Sequence, residues 1–268
     1  MIELKEGEDM NFETLKYEQQ DHIGILTLNR PEALNALNDR LIGELDQAMD
    51  RVCHDETVKV LIITGGEKVF AAGGDIKAML KCDPQMAREY VKPIHKVFRK
   101  IEELPKPTIA AINGFVLGGG VELTLVCDFR VAADNAKFGF PEINLGIFPA
   151  AGGSQRLPRL IGMSRAKELM FTGDAIDAGR AFQIGLVNQV VPSGEVMDAA
   201  LKLAAKLSKK SPLTMATLKS SLHSILNSGQ NTGLEMELEK FCFLFASHDQ
   251  KEGMQAFLDK RKPEFTGK

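Results

Sequence analysis

One apolar stretch of the chain carries a carboxylate directly behind three consecutive glycines. In residues 107–128 (PTIAAINGFVLGGGVELTLVCD), Gly118, Gly119 and Gly120 precede Glu122, whose neighbours are apolar. Glycines allow close backbone packing, and a helix that begins there presents unpaired N–H groups and the positive end of its dipole. Such groups suit an oxyanion that develops during a reaction. A buried glutamate is costly without a purpose, and the alternative is a tight glycine turn whose glutamate reaches solvent or caps a helix.

Two further segments have the composition of a reactive site. Residues 70–76 (FAAGGDI) are small and apolar, and Asp75 stands where a following helix would accept a carboxylate at its N-terminus. Residues 138–156 contain two prolines, four glycines and a single carboxylate, Glu142, among apolar neighbours. Because this segment is too irregular for one element and too apolar for a surface loop, we expect it to line a pocket. Two carboxylates that face one substrate can hold a water molecule and divide the proton transfers between them.

Strands and helices alternate in the first part of the chain and must position these segments. Apolar runs predict strands at 23–29, 58–64, 108–112, 129–133 and 186–191. Helical spacing predicts helices at 39–52, 84–104, 164–170 and 177–183, the first of them capped by Asn38. From residue 193 the pattern is helical only, at 195–207, 212–226, 232–247 and 250–261. The sequence therefore predicts an α/β core over residues 1–195, with a polar leader at 1–12, and a C-terminal α-helical region over residues 196–268.

Composition limits the classes of function. The 268 residues carry 33 basic and 36 acidic side chains, and the net charge of −3 gives no general attraction to nucleic acid or to an anionic membrane. Four widely spaced cysteines predict reduced thiols, mostly in the core. Five isolated histidines predict no metal site, and Ser164, which begins an SxxK pattern, is interpreted as a helix N-cap. Without a signal peptide or an apolar run of membrane-spanning length, the expected location is the cytoplasm.

Several motifs taken together resemble the crotonase superfamily, the enoyl-CoA hydratase/isomerase family. In chain order they are residues 28–37 (LNRPEALNAL), residues 70–76, residues 113–123 (NGFVLGGGVEL), residues 140–157 (FPEINLGIFPAAGGSQRL) and residues 257–263 (FLDKRKP). Each motif is weak alone, but their order and spacing make the resemblance specific, and it covers nearly the whole chain. The resemblance implies a spiral of ββα units and a C-terminal helical region that drives assembly into homotrimers, often paired into hexamers.

The resemblance also implies roles for individual residues. In this family two backbone N–H groups form the oxyanion hole, and they correspond to Gly74 and Gly119. Glutamates at the positions of Glu122 and Glu142 mark the hydratases, whereas many isomerases of the family have only one of the two. By resemblance, Glu142 donates a proton to the Cα of the substrate, and Glu122 orients the water that attacks Cβ. The enolate of a thioester needs two preplaced donors at its oxygen.

Coenzyme A is expected as part of the substrate, with no separate cofactor. The residues implied to bind it are Ala33, Leu34, Ala36, Ala72, Gly74, Asp75, Ile76, Lys77 and Gly119, together with Phe257 and Lys260 from a neighbouring subunit. A lysine suits a phosphate as a point charge. The chain departs from the family pattern at two places. Gly74 replaces a common alanine, and Ala150 stands where hydratases often have glycine, so that its methyl group could narrow the pocket.

The expected activity is the reversible hydration of short-chain 2-enoyl-CoA thioesters to 3-hydroxyacyl-CoA. One alternative is a Δ3,Δ2-enoyl-CoA isomerase, in which a single glutamate moves a proton between C2 and C4. An alternative of another class is an acyl-CoA-binding or assembly module without turnover. The presence of both glutamates and both glycine loops argues against this module.

Overall fold

The computed structural model describes residues 12–225 and 228–268. The strands are β1 Leu15–Gln20, β2 Ile23–Leu28, β3 Val60–Thr64, β4 Val69–Ala71, β5 Thr108–Ile112, β6 Phe115–Leu117, β7 Phe129–Ala133, β8 Lys137–Gly139, β9 Ile176–Asp177 and β10 Gln189–Val191. The helices of the core are α1 Asp39–His54, α2 Ile76–Met79, α3 Pro84–Glu103, α4 Gly119–Leu125, α5 Gly153–Ile161, α6 Met163–Thr172 and α7 Ala178–Gln183. The last four are α8 Val196–Leu207, α9 Pro212–Ser224, α10 Gln230–Leu244 and α11 His248–Leu258. Two 3-10 helices, Pro31–Ala33 and Pro141–Leu145, complete the elements.

Two sheets run side by side through successive turns of the chain. One has the order β1-β2-β3-β5-β7-β10 and the other β4-β6-β8-β9. Strands β2, β3, β5 and β7 are parallel neighbours in the first sheet, and β4, β6 and β8 are parallel neighbours in the second. Each turn therefore adds one strand to each sheet before a helix follows. This is the predicted spiral of ββα units.

The first sheet is covered on both faces, which explains why its central strands read as continuous apolar runs. All five residues of β3 are buried, and they alternate between two cores. Leu61 and Ile63 join the main core with α1 and α3, whereas Val60 and Ile62 contact the apolar face of α8. The helix predicted at 195–207 therefore belongs to the core through its buried residues Val196, Ala200 and Ala204.

Most predicted elements form within a few residues of the expected bounds. Helix α1 begins where predicted because the Asn38 side chain accepts a hydrogen bond from the Leu41 N–H at 2.9 Å. Strands β5 and β7 have the predicted bounds. The predicted polar leader at 1–12 lies almost wholly outside the described residues, as does the predicted last residue of the helix at 212–226. Helix α9 ends at Ser224.

Two expectations from the sequence are wrong, and the strands of one sheet were missed. The second sheet was not predicted, because β4, β6 and β8 have only three residues each and lie beside glycines. Ser164 is the second residue of α6, and the N-cap of that helix is Gly162. Of the four cysteines only Cys127 is buried, since Cys53 and Cys242 are exposed and Cys82 is intermediate.

The C-terminal helices lie beyond the sheets. Helix α8 packs on the first sheet, whereas α9 reaches the core through Lys219. The Lys219 ammonium is buried and lies 2.8 Å from Asp128 and 3.1 Å from the Lys106 carbonyl oxygen. A buried ammonium needs such partners, so this contact fixes α9 against the core. The division at residue 195 stays a prediction.

Candidate active site

Backbone hydrogen bonds join two sequence-distant loops at the entrance of the site. The Leu37 N–H donates to the Gly73 carbonyl oxygen at 2.7 Å, and the Ala72 N–H donates to the Leu34 carbonyl oxygen at 3.0 Å. The Asp75 N–H donates to the Leu37 carbonyl oxygen at 3.1 Å. The segments at 33–37 and 72–75, both implied to bind coenzyme A, are thus brought together.

Each glycine of the 118–120 triplet is required for a different physical reason. Gly118 has a φ of +50°, and a Cβ there would lie 2.4 Å from a Glu142 carboxylate oxygen. A Cβ on Gly119 would lie 2.9 Å from the side chain of Leu37. A Cβ on Gly120 would lie 2.3 Å from the Ala71 carbonyl oxygen. The triplet therefore lets α4 begin in direct backbone contact with the strands and leaves space for a carboxylate.

The two amides predicted to form an oxyanion hole are unpaired in the described part of the chain. Gly119 is the first residue of α4, so its N–H has no partner within the helix. Gly74 lies outside every helix and strand, and its N–H donates to no other described backbone group. A Cβ on Gly73 would lie 3.6 Å from the Gly119 nitrogen, so the two glycine loops are in contact. Two free donors at one place can hold a developing oxyanion.

Glu122 is buried on α4 and is held by backbone amides. Its carboxylate accepts a hydrogen bond from the Gly153 N–H at 2.6 Å, and the Ala151 N–H also interacts with it. Burial raises the pKa of Glu122 from 4.5 to about 7, and the charge of Glu142 acts in the same direction. The two amides oppose this rise because they favour the ionised form. Near neutral pH the carboxyl is therefore poised between its two states, as a general base requires.

Glu142 faces the same cavity from the 3-10 helix at Pro141–Leu145. Burial raises the pKa of this carboxyl above its usual range. Its Oε2 atom is buried without a hydrogen-bond partner among the described residues. A native buried polar atom without a partner is rare, and here it is available to a substrate or a water molecule. A carboxyl that favours its protonated form suits a proton donor.

The groups described above line one cavity of about 100 Å³. The two glutamates and the glycines at 73, 74, 118 and 119 contribute its polar side. Apolar side chains complete it, among them Leu37, Val91, Ile94, Leu145 and Phe148. Ala150 also lines the cavity, which places its methyl group where the sequence predicted. The predicted pocket in residues 138–156 is confirmed, since seven of the lining residues come from this segment.

The remaining coenzyme A positions have mixed surroundings. Leu34, Ile76 and Lys77 are exposed near the cavity, and Ala33, Ala36 and Ala72 are partly exposed. The Asp75 carboxylate is already used within the chain, because it caps α2 and pairs with Arg30 at 3.1 Å. Phe257 and Lys260, at the end of α11, are exposed and do not line this cavity. Their predicted contact concerned a neighbouring subunit and stays a prediction.

Two side chains of α3 reach the site without having been predicted. The Tyr90 hydroxyl donates to the Leu37 carbonyl oxygen at 2.7 Å and accepts from the Asp75 N–H at 3.0 Å. His95 Nε2 lies 2.5 Å from the Ala150 carbonyl oxygen, in the same peptide unit whose N–H belongs to Ala151. Tyr90 stands four residues before the buried Ile94, one helical turn along the same face of α3. An amphipathic residue on the buried face was the available signal.

Comparison with known proteins defines the family. The family model described as enoyl-CoA hydratase/isomerase matches residues 18–268, so this chain belongs to that family. It is 46% identical over 260 residues to a Syntrophomonas wolfei protein named crotonyl-CoA hydratase. The alignment covers 97% of this chain and 100% of that protein. It is 43% identical over 256 residues to the short-chain-enoyl-CoA hydratase of Clostridium acetobutylicum, with 95% and 98% covered.

Solved structures confirm the fold class. The 1.8 Å crystal structure of enoyl-CoA hydratase from Bacillus anthracis aligns with a TM-score of 0.92 at 39% identity. The alignment covers 96% of this chain and 100% of the other. The crotonase-type α/β spiral predicted from the motifs is therefore correct.

The described residues lack two further features. Within 12–225 and 228–268, no group of three or more His, Cys, Asp or Glu side chains is arranged to hold a metal ion. No helix in these ranges combines the length and the apolar character needed to cross a bilayer.

Proposed function

We propose that this protein is a short-chain enoyl-CoA hydratase that adds water reversibly across the double bond of a 2-enoyl-CoA thioester. The observation that carries the proposal is the meeting of two carboxyls and two free amides in one small cavity. Near-full-length relatives named crotonyl-CoA hydratase and short-chain-enoyl-CoA hydratase support the same activity. Such a step belongs to fatty-acid β-oxidation, or to its reverse when the enzyme acts as a 3-hydroxyacyl-CoA dehydratase.

The two glutamates have different surroundings, which assign a different proton transfer to each. Glu122 receives backbone N–H groups, which favour its ionised form, so it takes a proton from the water that attacks Cβ. Glu142 is buried without such donors at Oε2, so it holds a proton and gives it to Cα. Negative charge on the thioester oxygen is held in between by the N–H groups of Gly74 and Gly119. A proton passed back from Glu122 to Glu142 restores the starting state.

The size of the cavity favours a short acyl group. The cavity has a volume of about 100 Å³. Complete ligand pockets are several times larger, at roughly 300–1,000 Å³, so the cavity takes only the reacting end of the thioester. Coenzyme A then extends outward along Leu34, Ile76 and Lys77, which are exposed beside it.

We further propose that the chain assembles as a homotrimer or a hexamer. Helix α10 has no buried residue, yet one stripe along it is apolar. The stripe consists of Leu234, Leu238, Phe241 and Phe245, at helical spacing, and all four are exposed in the single chain. An exposed apolar stripe of this kind marks an interface, and a second copy would cover it. The same assembly would bring Phe257 and Lys260 towards a neighbour's coenzyme A. The proposed location is the cytoplasm, where the four free cysteines would stay reduced.

The test is hydration of crotonyl-CoA, followed as loss of the ultraviolet absorbance of the conjugated thioester. The expected product is 3-hydroxybutyryl-CoA. Glu122→Gln and Glu142→Gln are expected to abolish hydration separately, while the exposed Glu18→Gln on β1 is the matched control. Hydration that needs only one of the two glutamates would contradict the mechanism. Binding of crotonyl-CoA without any turnover would instead support the module without catalysis.

A further inference from the structure

The backbone conformation of Gly74 does not require a glycine. Ten glycines of the described chain have a positive φ, and Gly74 is not among them. An L-residue could adopt its conformation without left-handed strain. A side chain at this position would instead be limited by the space around it.

That space is occupied by two side chains, one of them polar. A Cβ on Gly74 would lie 3.2 Å from the Tyr90 hydroxyl oxygen and 3.1 Å from the Met79 methyl carbon. The methionine end is flexible and gives way at little cost. The tyrosine hydroxyl is fixed, because it bonds both the Leu37 carbonyl oxygen and the Asp75 N–H.

The backbone around Gly74 is clamped at both ends by these contacts. On one side the Gly73 carbonyl oxygen accepts from the Leu37 N–H. On the other side the Asp75 N–H is shared between the Leu37 carbonyl oxygen at 3.1 Å and the Tyr90 hydroxyl at 3.0 Å. Two adjacent glycines are flexible by themselves, so these bonds must set the direction of the N–H between them.

We propose that Tyr90 is a positioning residue for the oxyanion hole, acting through the loop that carries Gly74, where a Cβ would crowd the Tyr90 hydroxyl. The hydroxyl holds the Gly74–Asp75 peptide and the Leu37 carbonyl oxygen, while the Leu37 N–H holds the Gly73–Gly74 peptide, so that the Gly74 N–H points into the cavity before substrate arrives. A donor that is already oriented stabilises the enolate without reorganisation during the reaction. The proposal deepens the proposed function and rests on it for the identity of the oxyanion.

The test is a double-mutant cycle on crotonyl-CoA hydration with Tyr90→Phe, Gly74→Ala and the pair. Tyr90→Phe removes the clamp and not the donor, so kcat is expected to fall about 10-fold, less than the 10²–10³-fold loss of a whole donor. KM is expected to change less than about 2-fold, because the loss acts on the transition state. Gly74→Ala alone is expected to lower kcat about 10-fold, since its methyl group displaces the hydroxyl. In the Tyr90→Phe background the same methyl group finds room and is expected to cost less than about 2-fold.

Tyr17→Phe is the matched control, because Tyr17 is the only other tyrosine and lies on β1. It is expected to leave kcat and KM unchanged. Additive effects of the two site substitutions, or a Tyr90→Phe variant with the wild-type kcat, overturn the proposal. If Tyr90→Phe does not fold, Gly74→Ala decides alone. A full kcat in that variant overturns the proposal, and a reduced kcat at an unchanged melting temperature supports it.

A binding measurement separates this proposal from the proposed function. Acetoacetyl-CoA can bind as an enolate, whereas butyryl-CoA cannot, so the ratio of their affinities reports the oxyanion hole without turnover. Tyr90→Phe is expected to weaken acetoacetyl-CoA about 10-fold relative to butyryl-CoA. An unchanged ratio overturns the role of Tyr90 even if hydration is confirmed. A changed ratio supports that role even if the wild-type protein does not hydrate crotonyl-CoA.

Discussion

Replacing Glu122 by Gln is predicted to abolish hydration and at the same time to stabilise the protein at alkaline pH. The pKa of this buried carboxyl rises from 4.5 in the unfolded chain to about 7 in the folded protein. Between these two values the folded state binds more protons than the unfolded state, so stability falls as pH rises. A difference of about 2.5 between the pKa values corresponds to about 3 kcal/mol of free energy of unfolding. This loss is complete above pH 7 and absent well below pH 4.5.

The assay is urea unfolding of wild type and Glu122→Gln from pH 5 to pH 8, at one fixed protein concentration because assembly also contributes to stability. The glutamine has nearly the same shape and keeps one oxygen that can accept from the Gly153 N–H, so this contact of the site is retained. The variant is expected to gain on wild type as pH rises, by up to about 3 kcal/mol at pH 8. Its kcat for hydration is expected to fall by about 10²–10⁴-fold, as for loss of a general base.

The difference between the two unfolding curves reports Glu122 together with its electrostatic coupling to Glu142. Acidic groups whose pKa is lowered, such as Asp46 and Asp249, contribute equally to both proteins and cancel. Glu18→Gln, an exposed glutamate on β1, is the control and is expected to change neither the pH dependence nor kcat. A stability difference that stays constant from pH 5 to pH 8 would show that the ionised Glu122 carries no burial cost. The assignment of Glu122 as a base poised near neutrality would then be wrong.

Three further substitutions test the glycine triplet, the contact that fixes α9 and the proposed interface on α10. Gly118→Ala places a Cβ 2.4 Å from the Glu142 carboxylate at a φ of +50°. Hydration is therefore expected to be lost, and the free energy of unfolding is expected to fall by about 1–3 kcal/mol. The control is Gly43→Ala in α1, where the added Cβ meets nothing within 4 Å and is expected to stabilise the protein slightly. Lys219→Met removes a buried ammonium from its aspartate, and urea unfolding is expected to show a loss of about 2–3 kcal/mol, with faster amide exchange in α9. Leu238→Glu on the apolar stripe of α10 is expected to give monomers in light scattering, and an unchanged mass would contradict the proposed interface.

The sequence predicted the large elements well because their burial is simple. The buried faces of α1 and α3 repeat at helical spacing, and β5 and β7 are buried on both sides. The strands of the second sheet could not be located from the sequence, because three residues are too few to show an alternation of apolar and polar side chains. These strands form only when adjacent turns of the spiral pair. Such pairing is a property of the tertiary fold and not of any short window of sequence.

The sequence predicted the glycines and glutamates of the site, but not the backbone amides and the tyrosine hydroxyl that position them. Glu122 and Glu142 stand out as single carboxylates in apolar segments, which is a local signal. The amides of Ala151 and Gly153 carry no side-chain signal, and their contact with Glu122 spans about thirty residues of sequence. In the sequence Tyr90 is an ordinary residue of an amphipathic helix, and its role becomes visible only from its contact with the loop at 72–75.

The features that would perform the reaction are the ones that cost stability. Two carboxyls are buried with raised pKa values, one of their oxygens has no partner among the described residues, and Gly118 has a left-handed φ. Each is unfavourable for folding, and all of them line one cavity. Other polar groups are paired: the Tyr90 hydroxyl, which also lines the cavity, bonds the Leu37 carbonyl oxygen and the Asp75 N–H, and the buried Lys219 ammonium, outside the cavity lining, pairs with Asp128. Because part of the cost comes from burying charge, a substitution that removes a buried carboxylate and adds no atom, such as Glu122→Gln, should remove activity and keep the fold, whereas a Cβ at Gly118 should lower both activity and stability.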